Sequence, residues 1–309
     1  MFLAHGIHRK AKWFVFKSLS LLSVIRGYNI LVIIIAQYLT SIFILSQTDS
    51  VSAILYDKKL FLLILSSATC IAAGYIINNF YDSEKDLINR PQKSKLDRLV
   101  SQQKKLNIYF VLNLLAIIIA SSVAFKAVIF FSIYIFGIWF YSHKLKRKPI
   151  LGNIVAIALS ILPFFVVFIY YKNFDTVIFA HALFLVFILF MKEIIKDFEN
   201  LSGDLANDYI TIPVKYGEKT SKNILTVLSI AAIVAALVLI YKFSLGLMYF
   251  YFWFSIALIV AFIILVNTLS QKKHYNFLHN LLKFIIVLGV FSIIFLKPKV
   301  VNALLFKFL

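Results

Sequence analysis

The sequence predicts an all-α membrane protein, and two observations carry that prediction. Of the 309 residues, 62% are hydrophobic and only 15% are charged, whereas soluble globular proteins have roughly 45–50% apolar and about 25% charged residues. Nine apolar stretches are also long enough to cross the hydrocarbon core of a bilayer as helices, which takes about 20 residues. These observations exclude an ordinary soluble enzyme, a disordered protein and a coiled coil.

The apolar stretches follow one another with short polar connections. In chain order, the predicted spans are residues 27–46, 60–81, 106–125, 127–142, 150–171, 176–194, 223–242, 245–268 and 278–296. Pro163 lies inside the fifth span, where neighbouring groups can satisfy the backbone that a proline frees. We expect a single domain over residues 1–309, with a basic segment at 1–24 and two longer connections at 82–105 and 195–222.

Basic residues lie mainly on one predicted side of the membrane. The chain has 32 Lys and Arg residues against 13 Asp and Glu residues, a formal net charge of +19. Most of them lie in the N-terminal segment and in the connections after the even-numbered spans. The positive-inside rule therefore predicts a cytoplasmic N-terminus and cytoplasmic connections at 82–105 and 195–222, in a multi-pass protein of the bacterial inner membrane. The basic excess indicates lipid anchoring, and no nucleic-acid partner is expected.

Most acidic residues lie in two windows, at the cytoplasmic ends of spans two and six. Both windows contain the pattern N-x-x-x-D-x-x-x-D-x-x-x-x-P, and the two copies are separated by a constant offset. The first copy is Asn78, Asp82, Asp86 and Pro91, and the second is Asn200, Asp204, Asp208 and Pro213. Residues four apart lie along one face of a helix. We therefore expect each copy to present an amide and two carboxylates in a row.

Carboxylates crowded in this way indicate a site for a cation and a phosphate group. Mg²⁺ prefers oxygen ligands and is held by one or two carboxylates together with substrate phosphates. The predicted Mg²⁺ ligands are Asn78, Asp82, Asp86, Asp197, Asn200, Asp204 and Asp208. Arg90, Lys196 and Lys215 lie in the same two windows and can contact phosphate oxygens.

A diphosphate at a membrane boundary, beneath an aromatic-rich interior, predicts a lipid diphosphate substrate. Bound cations would stabilise the leaving pyrophosphate, and aromatic faces would shield an allylic carbocation. An acceptor would then capture that carbocation. This reasoning gives prenyl transfer as the hypothesis, with Asp82, Asp86, Asp204 and Asn78 as the catalytic residues.

The first window resembles a motif of the UbiA superfamily of intramembrane prenyltransferases, N-D-x-x-D-x-x-x-D followed by R-P. Asn78, Asp82, Asp86, Arg90 and Pro91 match it. An asparagine at position 79 stands where the family has an aspartate.

The second window resembles the pattern D-x-x-G-D-x-x-x-G-x-x-T-x-P-V-x-x-G of many members. The matching residues are Gly203, Asp204, Thr211, Pro213, Val214 and Gly217. Asn200 replaces the first aspartate of this pattern, and Asp208 replaces its second glycine.

Two further stretches extend the resemblance over nearly the whole chain. The segment from Tyr141 to Arg147, with Asn153 shortly after it, is similar to a Y-S-x-x-L-K-R…G-N element. Arg26 and Asn29 are similar to an R-x-x-N element in the first helix. The details of the two windows are most similar to the geranylgeranylglycerol-phosphate geranylgeranyltransferase-like branch.

The resemblance implies nine helices around a central cavity, capped by the motif segments on the cytoplasmic side. It also implies Mg²⁺-dependent transfer from a polyprenyl diphosphate donor to a hydrophobic acceptor. The substrate-binding residues expected from it and from the charges are Arg26, Asn29, Arg90, Tyr141, Lys144, Arg147, Asn153, Lys196 and Lys215. Lys146 and Lys148 are expected to be charges that face lipid.

Several alternatives stay open at the level of sequence. The acceptor is either an aromatic ring or a glycerol-phosphate lipid. The asparagines at positions 79 and 200 each remove a negative charge, so the protein is alternatively an isoprenoid-binding member with weak or no catalysis. A small-molecule transporter is the third alternative, although transport sites usually place polar residues at the bilayer midplane.

Overall fold

Long helices dominate the structure. The computed structural model describes residues 16, 19–46 and 50–297, and in this part of the chain nine helices are long and apolar enough to cross a membrane. They are α1 Gly27–Leu45, α2 Lys58–Tyr81, α3 Gln102–Ser121, α4 Phe125–His143, α5 Leu151–Tyr171, α6 Thr176–Glu199, α7 Ile212–Lys242, α8 Gly246–Thr268 and α9 Lys272–Leu296. The predicted all-α fold with nine spans is confirmed. Most of the basic segment 1–24 lies outside the described residues.

The two long connections are themselves largely helical. Short helices Ser83–Asn89 and Pro91–Asp97 follow α2, and Leu201–Ala206 follows α6. α6 also continues past the predicted end of its span at residue 194, because its last turns are still covered by protein. Ile195 and Phe198 in those turns are buried.

The nine helices form a closed ring of neighbours. α2 packs against α1, α3, α4 and α5, and it is the most buried of the nine. α6 packs against α5, α7 and α9, while α8 lies between α7 and α9. α1 closes the ring because it contacts both α2 and α9. The two helices that carry the acidic motifs, α2 and α6, are thus the ones with the most protein around them.

Each acidic motif is broken by the end of a helix. α2 ends at Tyr81, Asp82 caps it, and a new helix starts at Ser83. In the second motif α6 ends before Asn200, and Asp208 has a left-handed backbone with φ of 57°. The expectation that each motif forms one row along a single helical face is therefore wrong. Near these breaks Asp82 and Asp204 are buried, whereas Asp208 is exposed.

Pro163 is accommodated in α5 by polar groups from two other helices. A proline has no N–H, so the carbonyl of Leu159, one turn earlier, loses its usual helical partner. The hydroxyl of Tyr134 in α4 donates to that carbonyl at 3.2 Å. Gln37 in α1, which is fully buried, donates its amide to the Pro163 carbonyl at 2.6 Å. These bonds satisfy backbone groups that lipid cannot.

The predicted grouping of connections at one end of the helices is also observed. The Ser20 hydroxyl, just before α1, donates to the carbonyl of Leu96 after α2 at 2.7 Å. The backbone N–H of Ile210, between α6 and α7, donates to the carbonyl of Arg147, between α4 and α5, at 3.1 Å. We call this end, which contains both acidic motifs, the motif end.

Candidate active site

A polar cleft opens at the motif end between α4, α5, α6 and the short helix Ser83–Asn89 that follows α2. Its lining is charged and polar throughout, which is unusual next to membrane-spanning helices. The lining residues are Lys85, Tyr141, Lys146, Lys148, Gly152, Asn153, Glu193, Lys196, Asp197, Asn200 and Thr211. Tyr141, Asn153, Lys196, Asp197 and Asn200 were predicted from sequence, and they are brought together here.

Asp82 of the first motif is buried and is held by a lysine from another loop. The ammonium of Lys146 forms an ion pair with Asp82 and also donates to the amide oxygen of Asn78, at 2.7 Å. The hydroxyl of Tyr209 contacts the other carboxylate oxygen of Asp82 at 3.4 Å. The expectation that Lys146 and Lys148 face lipid is wrong, because both line the cleft, and the 3₁₀ turn Leu145–Arg147 directs Lys146 into it.

Asp204 of the second motif is fully buried and pairs with a lysine from the first. Its carboxylate lies 2.7 Å from the ammonium of Lys85, and it accepts a hydrogen bond from the Thr211 hydroxyl at 3.3 Å. Lys85 also lies over the aromatic ring of Tyr209, 4.2 Å from its centroid. The two motifs are therefore joined directly, beside the cleft that Lys85 lines.

A second contact holds the two motifs at a fixed separation. The backbone N–H of Gly203 donates to the side-chain oxygen of Asn89 at 3.0 Å. A Cβ atom at position 203 would overlap the Asn89 amide. The glycine is therefore required by close approach of the two segments, while its backbone stays in the helix Leu201–Ala206.

α5 and α6 supply the remaining polar wall of the cleft. Asn153 in α5 donates to the carboxylate of Asp197 in α6 at 2.9 Å. One turn earlier in α6, Glu193 accepts from Lys196 at 2.6 Å. Both Asn153 and Glu193 are buried, so these pairs are shielded from bulk water and hold their geometry.

The charges of the cleft shift the acidity of its groups. Burial by itself would raise the pKa of Asp82, but the nearby charges of Lys146 and Lys85 lower it below its usual value. Burial would lower the pKa of Lys85, yet Asp82 and Asp204 raise it. The pKa of Asp86 is raised by burial and then by the negative charge of Asp82. Asp82 and Lys85 are thus held in their charged forms.

The predicted catalytic residues Asn78, Asp82, Asp86 and Asp204 lie beside the cleft and are not part of its lining, and the following predicted site residues also lie outside that lining. Arg26 lies over the ring of Tyr75, 5.3 Å from its centroid, and Asn29 donates to the Tyr75 hydroxyl at 3.2 Å. Arg90 contacts Glu199 at 3.5 Å. Arg147 lies over the ring of Tyr209. The predicted residues that are exposed are Lys144, Arg147, Asp208 and Lys215.

Asn79, where the family motif has an aspartate, points away from the cleft. Its amide donates to the carboxylate of Asp97 at 2.9 Å, and its oxygen accepts from Lys105 at 2.8 Å. Ser23 donates to the other oxygen of Asp97 at 3.3 Å. Asp97 and Lys105 are both buried. This polar cluster joins the start of α3 to the segment before α1.

Sequence reasoning missed six residues of the cleft lining, which are Lys85, Lys146, Lys148, Gly152, Glu193 and Thr211. Lys85 lies inside the first motif between two acids, and Lys146 lies in the resemblance segment after α4. Lys85 was a visible signal, since a lysine between two acids at a membrane boundary needs a partner. Lys146 has no acid beside it in the sequence. Glu193 was visible only as one more acid of the second window.

The oxygen atoms of the cleft suit a hard divalent cation. Within the described residues, no three Asp, Glu, His or Cys side chains are grouped closely enough to hold a metal ion by themselves. Mg²⁺ commonly takes one or two protein carboxylates and completes its shell with substrate phosphates. Asp82 and Asp204 therefore fit such an ion only in the presence of a phosphate-bearing ligand.

Comparison with known proteins identifies the family of this chain. The sequence profile described as the UbiA prenyltransferase family matches residues 34–284, which is most of the chain. The chain belongs to the UbiA prenyltransferase family. Among its UbiA relatives, digeranylgeranylglyceryl phosphate synthase of Thermococcus sibiricus is 33% identical over 71% of this chain and 78% of that protein. The protein of the same name from Methanobrevibacter smithii is 29% identical over 77% of this chain and 80% of its own length.

Solved structures confirm the UbiA fold. A structure from work on digeranylgeranylglyceryl phosphate synthase in membranes superposes with a TM-score of 0.67, at 23% identity, over 91% of this chain and 99% of that one. A UbiA homologue from Archaeoglobus fulgidus bound to GPP and Mg²⁺ gives a TM-score of 0.65, at 15% identity, over 89% and 99%. The chain is therefore a multi-pass membrane prenyltransferase by family and by fold.

Proposed function

We propose that this protein transfers a geranylgeranyl group from its diphosphate to the free hydroxyl of a geranylgeranylglyceryl phosphate lipid. The observation that carries the proposal is the joining of the two acidic motifs beside one cleft by the Lys85–Asp204 ion pair at 2.7 Å. The acceptor is taken from the relatives, several of which are named digeranylgeranylglyceryl phosphate synthase. We also propose that the motif end faces the cytoplasm, as the basic residues predict.

The cleft has the charges that a diphosphate needs. Lys85, Lys146 and Lys196 line it together with Lys148, and lysine ammonium groups bind phosphate oxygens as point charges. The carboxylates of Asp82 and Asp204 would hold Mg²⁺ with those oxygens, and the ion would supply positive charge to the leaving pyrophosphate. The A. fulgidus homologue bound to GPP and Mg²⁺ supports this ligand class.

The proposed reaction exchanges one carbon–oxygen bond for another. The bond between the allylic carbon and the diphosphate breaks, and pyrophosphate leaves with the electron pair. The acceptor hydroxyl oxygen then bonds to that carbon, and its proton passes to the released pyrophosphate. Lys85, Lys146 and Lys196 stabilise the charge that develops on the leaving group. Such preorganised charge is usually a large part of catalysis.

The test is pyrophosphate release by the purified protein with geranylgeranyl diphosphate and geranylgeranylglyceryl phosphate, with the lipid product identified by mass spectrometry. We expect release that requires Mg²⁺ and a drop of at least about 100-fold in Asp204→Asn, which removes the buried charge. Asp208→Asn is the matched control, because Asp208 is exposed at the end of the same motif, and it should keep near wild-type activity.

Two results would contradict the proposal. An equal loss of activity in Asp204→Asn and Asp208→Asn would show that burial beside the cleft does not decide which of these two acids the reaction needs. Tight binding of geranylgeranyl diphosphate without release of pyrophosphate, at any Mg²⁺ concentration and with any acceptor, would favour an isoprenoid-binding protein without catalysis. In that case Asn200→Asp tests whether the asparagine in the cleft lining is the cause, since it restores the family's carboxylate.

A further inference from the structure

A second group of cations lies at the motif end, outside the lining of the cleft. At its centre is Glu199, a buried carboxylate at the end of α6. Glu199 accepts a hydrogen bond from His279 of α9 at 2.7 Å and lies 3.5 Å from the guanidinium of Arg90. Arg26, Arg90, Lys192 and Lys283 lie near this carboxylate, and Lys93 lies near Arg26 and Arg90; we call these five cations the Glu199 cluster.

Positive charge exceeds negative charge in this cluster. Arg26, Lys93 and Lys283 form no ion pair with another described residue. The acids that face the cluster are Glu199, already in contact with Arg90 and His279, Glu193, which lies 3.3 Å from Lys192, and the more distant Asp86 and Asp97. Burial lowers the pKa of Lys93, and the charges of Arg26 and Arg90 lower it further. The five cations of the cluster therefore outnumber these four acids, of which Glu193 is shared with Lys196 of the cleft.

Lys283 is the least expected member, because it lies inside a membrane-spanning helix. It is one turn deeper in α9 than His279, and its charge interacts with Glu199, Arg26, Lys192 and Arg90. A lysine in a membrane span without an acidic partner is costly, and such residues usually serve a ligand or a transport path. α9 contacts α1, so Lys283 and Arg26 belong to the same helix boundary.

The Glu199 cluster adjoins the cleft. Lys192 lies 3.3 Å from Glu193, and Glu193 lines the cleft. A molecule bound at the cluster would thus sit beside the bound diphosphate, on the side of the α1–α9 boundary. Its charge would be anionic to satisfy the cations, and any apolar chain would lie along the spans.

We propose that the Glu199 cluster binds the phosphate monoester of the lipid acceptor, and that Lys283 is a specificity-determining residue for it. This inference rests on the proposed function, which gives the acceptor its phosphate. A phosphate monoester carries a negative charge of about 1.5 to 2 at neutral pH and offers three oxygens that accept hydrogen bonds. Its recognition here would separate the acceptor from lipids that lack a terminal phosphate, while the cleft remains free for the donor.

The experiment measures binding and kinetics with Lys283→Gln in nanodiscs of phosphatidylcholine. The binding probes are a single-chain alkyl glyceryl ether phosphate and the same ether without phosphate. We expect Lys283→Gln to raise the Kd of the phosphate probe and the KM of the acceptor roughly tenfold, since one charged hydrogen bond is lost. The Kd of the neutral probe, the KM of the diphosphate donor and kcat should not change.

Two control variants accompany it. Lys283 and Lys273 are both exposed residues of α9, and Lys273 lies at the start of the helix, outside the cluster. Lys273→Gln should leave every one of these constants unchanged. Lys283→Arg keeps the charge and should retain phosphate preference. If Lys283→Gln does not fold, Lys93→Gln removes another unpaired cation of the cluster and should show the same selective loss.

The outcomes separate this inference from the proposed function. If the wild type catalyses transfer but the folded variants keep the acceptor KM and the probe Kd unchanged, the inference is wrong and the proposed function stands. Selective phosphate binding that depends on Lys283, without any transfer, supports the site and contradicts the function. Competition by nanodisc phosphatidylglycerol as strong as that of the phosphate probe would show a site for bulk lipid headgroups, which also overturns the inference.

Discussion

Asn79 shows how one polar side chain can belong to a motif without belonging to its site. Asn79 and Asn78 are adjacent at the end of α2, but successive residues of a helix point in different directions. Asn78 accepts from Lys146 at the cleft, whereas Asn79 bonds Asp97 and Lys105 on another side of α2. The loss of the family's aspartate at position 79 is therefore not a loss of negative charge in the cleft.

Asn79→Asp should leave Mg²⁺ dependence unchanged and lower thermal stability. The new carboxylate would meet Asp97 where an amide now donates at 2.9 Å, and like charges at this distance repel each other. The double variant Asn79→Asp, Asp97→Asn restores one amide and one carboxylate and should recover much of the loss. A higher Mg²⁺ affinity in the single variant, in a titration of pyrophosphate release, would place position 79 at the metal after all.

Gly203→Ala should separate the two motifs and reduce activity. The added methyl group overlaps the Asn89 amide, and overpacking of this kind costs about 1–3 kcal/mol. Shortening the neighbour in Gly203→Ala, Asn89→Ala gives the methyl group space, so thermal stability should partly return. Measured by unfolding in detergent, an alanine at 203 that costs nothing by itself would contradict the close approach of the two segments.

At the scale of helices, the bonds around Pro163 join α4, α5 and α1 inside the membrane. Tyr134→Phe removes the donor to the Leu159 carbonyl and should cost about 1 kcal/mol, the size of a typical hydrogen bond between membrane helices. Pro163→Ala provides a backbone N–H for the same carbonyl. In a double-mutant cycle the tyrosine should therefore matter less when residue 163 is alanine. Equal effects of Tyr134→Phe in both backgrounds would show that the carbonyl does not depend on Tyr134.

The helices were predictable from the sequence where the apolar character of the segment itself determines them. The lengths of the apolar stretches predicted nine spans, and the order of the spans predicted which connections lie at the same end of the helices. The break at Asp82 was not predictable, because the pattern of Asn78, Asp82 and Asp86 fits one continuous helix equally well. The place of Lys146 was missed for a related reason: the direction of a side chain in a three-residue turn depends on its tertiary partner, here Asp82.

The same limit applies to the candidate site. Sequence patterns identified Tyr141, Asn153, Asp197 and Asn200, which line the cleft, because these positions match a family motif or lie in an acidic window. Asp208 was grouped with them by spacing, but its left-handed backbone ends the second motif and leaves its side chain exposed. The spacing of the motif residues in the sequence does not indicate where the backbone leaves the helix.

For the whole molecule, the remaining prediction concerns which face of the membrane holds the motif end. The only cysteine, Cys70, is buried in α2, so labelling of introduced cysteines has little background. Lys95→Cys is exposed at the motif end and Lys59→Cys is exposed at the other end. In intact cells a membrane-impermeant maleimide should label position 59 and should label position 95 only after permeabilisation. The reverse pattern would invert the topology.

The two lysines that neutralise Asp82 and Asp204 have a consequence for how the protein is assembled. In many small metalloproteins the ligands repel one another until the ion arrives, so that removal of the ion unfolds the chain. Here Lys146 and Lys85 already serve as internal counter-ions. Folding in the bilayer is thereby uncoupled from the supply of divalent cations, and a chelator should stop turnover while leaving the melting temperature unchanged.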